Sequence, residues 1–206
     1  MKRLVIRALT AGASLGLLGS ILPVSAQQGP IRIGEINSYT GAVALFGETY
    51  RRGLDLAIEG INASGGVLGR KIEIIYRDDN LSAADAVRHA GELVNNQKVD
   101  FLAGTFLSPI GLAVANYAHQ NKVFFVATEP LTNQITWEKG SRYVFRVASP
   151  VVGTAAAMAQ KAANMSCTRW AGVGPIAEAI TDLHNDFKRM MAAQKKDFVW
   201  AGEVMN

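Results

Sequence analysis

The chain has 206 residues, 49% hydrophobic and 18% charged, with 21 Lys and Arg against 17 Asp and Glu. That mixture carries enough apolar side chain to bury a core and excludes an intrinsically disordered chain. A lone cysteine, Cys167, excludes an intramolecular disulfide, so stability has to come from packing.

The first 26 residues stand apart. Lys2, Arg3 and Arg7 precede the apolar run Ala8 to Val24, which is interrupted by Gly12, Gly16, Gly19 and Pro23 and closes on Val24-Ser25-Ala26. This is the pattern of a cleavable secretory signal peptide rather than of a permanent span. Its removal takes away three of the 21 basic residues and none of the 17 acidic ones, which brings the remainder within one charge of neutrality. The residual charges are dispersed, which argues against nucleic acid and against an anionic membrane as partner. No cysteine opens the remainder to carry a lipid anchor. The expectation is therefore a soluble exported, periplasmic protein with no direct membrane insertion after signal cleavage.

From residue 31 the chain repeats a strand and helix rhythm. Strand-like runs at 31–36, 72–76, 99–103, 123–126 and 143–147 alternate with helix-like segments at about 47–63, 83–97 and 109–120. In the first helix Leu54, Ile58 and Ile61 recur at helical spacing, and Gly65, Gly66 and Gly69 supply positions where a helix can end. Ser82 and Asp85 have the form of a capping box, with Asp in the place of Glu. Strands joined by helices need crossover connections, which predicts an α/β fold: a doubly wound, mostly parallel sheet with flanking helices. Pro150 marks an expected boundary between a lobe at 27–149 and the start of a second at 150–206. The latter holds helix-like 154–164 and 182–194 and strand-like 169–173 and 198–204, too few elements to complete an α/β lobe of the first kind.

In an open parallel sheet, ligands bind at the carboxyl ends of the strands, here 37–47, 78–81, 104–109 and 127–132. The first loop offers hydroxyls, aromatic faces with Phe46 among them, and amides before a helix. The third carries Thr105, Phe106 and Ser108 ahead of Pro109, which suits a first helical turn. Ser108 reads equally as a helix cap or as a hydroxyl for a ligand carboxylate. The fourth carries Glu129, Pro130 and Leu131, where Glu129 meets either a ligand cation or solvent. Asp78 and Asp79 read as a solvated or helix-capping pair, since neighbours on a strand face opposite ways. The glycine run at 65–69 follows a helix and precedes a strand, the wrong order and spacing for a phosphate loop. His89, His119 and His184 are dispersed, so no metal is expected, and neither Cys167 nor any serine sits in a nucleophile motif. No cofactor and no catalytic residue is expected.

Three stretches carry a resemblance: IRIGEINSYTGAVALFGETYRRGLDLAIEGINASGGVLGRKIEIIYRDDN, then DAVRHAGELVNNQKVDFLAGTFLSPIGLAVANYAHQNKVFFVATEPLT, and RYVFRVASP. In this order they resemble the solute-binding proteins of bacterial ABC importers, of the branched-chain amino-acid (Leu/Ile/Val-binding) type. The resemblance implies a type I periplasmic-binding fold of two α/β lobes. It further implies capture of a small organic solute in the cleft, delivery to a membrane permease, and no enzymatic step. Carried onto this sequence, it places an aromatic cleft residue at Phe46, a carboxylate contact at Ser108 and its neighbouring amides, and a third contact segment at Glu129, Pro130 and Leu131; Thr105 and Phe106 of the Ser108 loop are counted with them as ligand-binding candidates. Leu131 stands where amino-acid binders use a threonine hydroxyl, and Ala177 and Ala179 stand where relatives place aromatics. Relatives continue well past the equivalent of Glu203, so the expectation is a shortened chain with impaired binding. The solute classes implied are a branched-chain amino acid, an amide or an aromatic acid. A receptor module of the same fold that signals to a membrane partner is the alternative. An exported hydrolase lacks its nucleophile.

Overall fold

The computed structural model describes residues 29–206; the expected signal peptide lies outside the described residues. Five strands form one parallel sheet: β1 (Ile31–Asn37), β2 (Ile72–Asp78), β3 (Phe101–Gly104), β4 (Phe125–Ala127) and β5 (Val144–Arg146), in the order β2-β1-β3-β4-β5. The connecting helices are α1 (Ala44–Ala63), α2 (Ala83–Asn95) and α3 (Ser108–Asn121). The doubly wound expectation agrees with this topology.

Side chains alternate across β1, so Gly34 and Ile36 face one side and Glu35 and Asn37 the other. On the first side Ile36, Leu93, Leu102, Val114 and Phe125 are fully buried between the sheet, α2 and α3. A Cβ on Gly34 would meet the Leu93 and Leu102 side chains at 3.0 and 3.1 Å, so the closeness of α2 depends on that glycine. On the other side α1 docks at the β2 edge, where Arg51 lies 4.3 Å from the Tyr76 ring centroid and Asp55 accepts the Tyr76 hydroxyl at 2.5 Å.

Two strand starts differ from the periodicity for one shared reason. Val99 donates to the Leu93 carbonyl and Val123 to the Ala118 carbonyl, so both residues close the preceding helix and β3 and β4 begin later. Lys122 adopts φ +57° to make that closure at the end of α3. The glycine run behaves as a reversal: Gly65, Gly66 and Gly69 all have positive φ, and Val67 pairs with Arg70 across it.

A second unit follows Pro150, with α4 (Val151–Ala163), β6 (Arg169–Gly174), α5 (Glu178–Gln194) and β7 (Val199–Met205). β6 and β7 pair in parallel as a separate two-stranded sheet. Ala155, Ala159, Ala162, Phe187 and Met191 form its own buried core, flanked by Trp170, Phe198 and Trp200. The helix expected at 182–194 begins at Glu178 instead. No side chain caps its start, and Glu178 is held by the Gln134 amide of the first unit.

That contact is one of a row. Glu178, Asp182 and Asp186 recur every four residues on one face of α5 and meet the short 3-10 turn Asn133–Ile135. Asp182 accepts from the Thr132 hydroxyl at 2.7 Å and the Asn133 backbone N–H at 3.1 Å, and Asp186 accepts from the Asn133 side-chain amide at 2.7 Å. Thr132 is fully buried and its oxygen accepts from the Gln134 N–H, so losing Asp182 leaves the hydroxyl's own proton without an acceptor. Asp182→Ala is expected to cost about 2 kcal/mol and to speed hydrogen exchange at Asn133. Unchanged exchange there would show that the row does not hold the two units together.

Candidate functional site

The strand order reverses between β1 and β3, so the loops leaving these strands diverge and open a crevice at their carboxyl ends. The β1 loop is held from below by the paired acids. Asp79 is fully buried and accepts from the Ser38 hydroxyl at 2.9 Å and from the Leu81 N–H at 2.9 Å. Asp78 accepts from the Tyr39 and Asn80 N–H groups at 3.1 and 2.9 Å. The solvated-pair expectation is therefore corrected: the two carboxylates splay as strand neighbours should, and both anchor loops.

The β3 loop begins under strain. Gly104 has φ +111° and Thr105 has φ +67°, a conformation β-branched residues avoid. Thr105 is fully buried with its hydroxyl unpartnered. Beyond it, Leu107 takes the cap position of α3 without a side-chain bond, and Ser108 is the first helical residue. The capping reading of Ser108 is thus corrected: its hydroxyl accepts from the Thr132 N–H at 3.3 Å, a residue of the β4 loop.

The β3 loop, the β4 loop and the start of α5 enclose a cleft of about 450 Å³. Phe106, Leu107, Ser108, Pro109, Glu129 and Leu131 line it from the first unit, and Ile176, Ala177, Glu178, Ala179 and Thr181 from the second. Of the residues singled out in sequence, Phe106, Ser108, Glu129 and Leu131 face this space. Phe46 does not line it but stacks on Phe106, with ring centroids 5.1 Å apart and planes 17° from parallel. Thr105 and Pro130 sit behind the wall, packed at Gly111, where an added Cβ would lie 2.6 Å from the Pro130 ring and 3.0 Å from the Thr105 hydroxyl. Ala177 and Ala179 stand on the opposite wall, so small side chains keep that wall low.

Electrostatically the floor is acidic. Burial raises the Glu129 carboxyl above its ordinary range, opposed by a 2.9 Å hydrogen bond from the Asn37 amide. Glu35, fully buried on β1, is pushed up to about 8 by desolvation, with repulsion from Glu129 and Asp79 adding to it and hydrogen bonds from Tyr39 and Asn37 opposing it. One Glu35 oxygen accepts the Tyr39 hydroxyl, and the other has no partner. Sequence reasoning passed over Glu35 and Asn37, although both fall on the same face of β1 at period two.

An α/β unit with a crevice at the carboxyl ends of its parallel strands, faced across that crevice by a second α/β unit, is the architecture of a small-molecule binding protein. A family model described as periplasmic binding protein matches residues 30–204, and the chain belongs to that family. The chain is 29% identical over 138 residues to a Leu/Ile/Val-binding protein homolog of Brucella suis, an alignment covering 67% of this chain and 34% of that protein. It is 34% identical over 115 residues to an amino acid binding protein of Pseudomonas aeruginosa, covering 56% and 30%.

Among solved structures, an ABC-transporter solute binding protein of Rhodopseudomonas palustris in complex with 3,4-dihydroxybenzoic acid superposes with a TM-score of 0.77 at 27% identity. That match covers 85% of this chain and 47% of the other. A leucine binding protein of Thermotoga maritima superposes with a TM-score of 0.71 at 25% identity, covering 85% and 49%. The chain thus spans about a third of the curated relatives and about half of the solved ones. No helix among the described residues is long and apolar enough to cross a membrane.

Proposed function

We propose that this chain captures a small organic solute in the cleft between its two units and presents it to the membrane permease of an ABC importer, working in the periplasm and carrying out no chemistry. The observation that carries the reading is the cleft itself, built at the carboxyl ends of β3 and β4 with walls from both units. Relatives that bind Leu and aromatic acids support the solute class, and the signal-like residues 1–26 support export. The lobes of this reading are 27–149 and 150–206, each with its own buried core. Phe46 and Phe106 offer one aromatic edge, and Ser108 with the first amides of α3 offers a seat for a carboxylate. Thr105, Pro130 and Leu131 shape that seat.

The chain spans about half of the solved relatives. Ser108→Ala is expected to weaken a carboxylate-bearing solute about tenfold, the worth of one hydrogen bond to a charged group. Isothermal titration with amino acids, amides and aromatic acids, on protein verified as folded by circular dichroism, measures it. Absence of binding across all three classes would remove the reading.

A further inference from the structure

We propose that Glu129 is the specificity-determining residue of the cleft, selecting solutes that bring a cationic nitrogen, best a primary ammonium, and rejecting carboxylates of the same shape that lack one. The inference rests on the solute-binding reading above and names the class that the site prefers.

Among the described residues lining the cleft there are two carboxylates, Glu129 and Glu178, and neither Lys nor Arg. Glu178 is already engaged by the Gln134 amide, which leaves Glu129 as the charge on offer. Its position is set by the sheet rather than by solvent. Asn37, fully buried at the end of β1, accepts from the Ser38 N–H at 2.9 Å and donates from its amide to one Glu129 oxygen at 2.9 Å. The second Glu129 oxygen has no hydrogen-bond donor among the described residues. A carboxylate held this way on a cleft wall is preorganised for one more donor, and a charged donor makes the stronger bond.

Behind Glu129, Glu35 keeps its proton through burial and adds no charge of its own, so the sign at this wall is that of Glu129. A benzoate-like solute seated at Ser108 would bring a negative charge into this field with only hydroxyl and helix-end amides to offset it. A solute with both groups can place its carboxylate at the α3 terminus and its ammonium at Glu129.

Matched solutes read this directly. L-leucine, 4-methylpentanoate and 3-methylbutylamine share one carbon skeleton and differ in which charged groups they carry, and 3,4-dihydroxybenzoate adds an aromatic acid. Saturation-transfer NMR at millimolar concentration registers weak binding to the 206-residue chain. The expected result is that leucine binds at least tenfold more tightly than 4-methylpentanoate, and that E129Q removes most of that gap. In E129Q the amide oxygen can still accept from Asn37, so the wall is retained while its charge is lost. Equal binding of 4-methylpentanoate or 3,4-dihydroxybenzoate and leucine would overturn the selectivity while leaving the solute-binding function standing. A gap that persists unchanged in E129Q would overturn the role of Glu129. Failure of all four solutes to bind folded protein would overturn the functional reading and this inference with it. Should E129Q not fold, the wild-type ranking of the four solutes decides the proposal.

Discussion

Replacing Gly104 with alanine is expected to destabilise the first unit by about 4 kcal/mol or more, a large share of the 5–15 kcal/mol that holds a domain of this size together. Two independent penalties meet at this position. Its φ of +111° lies where an L-residue with a Cβ is strained. The added Cβ would also sit 2.3 Å from the Ile36 carbonyl oxygen and 2.6 Å from a Glu35 carboxyl oxygen. The first of these is backbone in the neighbouring strand and accepts from the Thr105 N–H at 2.6 Å, so relief requires β1 and β3 to part at their pairing register. Gly53 provides the control. It lies within α1 with nothing within 4 Å of an added Cβ, so alanine there is expected to stabilise by about 0.5–1 kcal/mol through helix propensity alone. Urea denaturation followed by far-ultraviolet circular dichroism compares the two. Equal midpoints for Gly104→Ala and Gly53→Ala would show that the close approach of β1 and β3 is not needed.

The contrast between these glycines marks what one chain reveals about itself. Helix and strand order was legible because Leu54, Ile58 and Ile61, or Ile72, Ile74 and Tyr76, repeat at the period of their element and end at a glycine run or at the polar Asp78-Asp79-Asn80 turn. The start of α5 was not legible, since Ala177 offers no cap and Glu178 is fixed by Gln134, 44 residues earlier in the chain. At the site, local chemistry identified Phe106, Ser108, Glu129 and Leu131 because loops after parallel strands face the crevice. The role of Ser108 stayed open between cap and ligand hydroxyl, and what decides its protein partner is Thr132, brought there by the β4 loop. The row Glu178, Asp182 and Asp186 is visible as a stripe, yet a charged stripe on a helix ordinarily faces water. The docking of the Asn133 turn gives the row its partners outside α5, beside the Arg189 guanidinium that pairs with Asp186 on the helix itself. Glu35 is the extreme case: nothing in Ile-Arg-Ile-Gly-Glu-Ile says that the face receiving a carboxylate is closed.

The closure around Glu35 makes stability depend on pH, with a sign set by burial. Its carboxyl is pushed from an ordinary 4.5 up to about 8 by desolvation, reinforced by Glu129 and Asp79 and opposed by Tyr39 and Asn37. Tyr50 and Tyr76 also face this region, and both are raised well above the range where they would ionise first. Below pH 4.5 both folded and unfolded chains hold the proton. Between 4.5 and 8 the unfolded chain releases it while the folded chain retains it, so stability falls as pH rises, and above 8 the loss levels off. The expected loss between pH 5 and pH 8 is roughly 3 kcal/mol from this group. Glu35→Gln keeps an oxygen for the Tyr39 hydroxyl and cannot ionise, so its stability is expected to change less over that range and to exceed wild type at pH 8. Glu129 and Asp79 are raised as well, but they remain in both proteins, and the difference between the two pH curves isolates Glu35. Denaturation midpoints at four pH values between 5 and 8 measure it, and parallel curves would mean that Glu35 reaches solvent. The unpartnered oxygen of Glu35 is the one that crowds position 104, so a side chain at 104 and a charge at 35 press on the same point between β1 and β3, beneath the wall that carries Glu129.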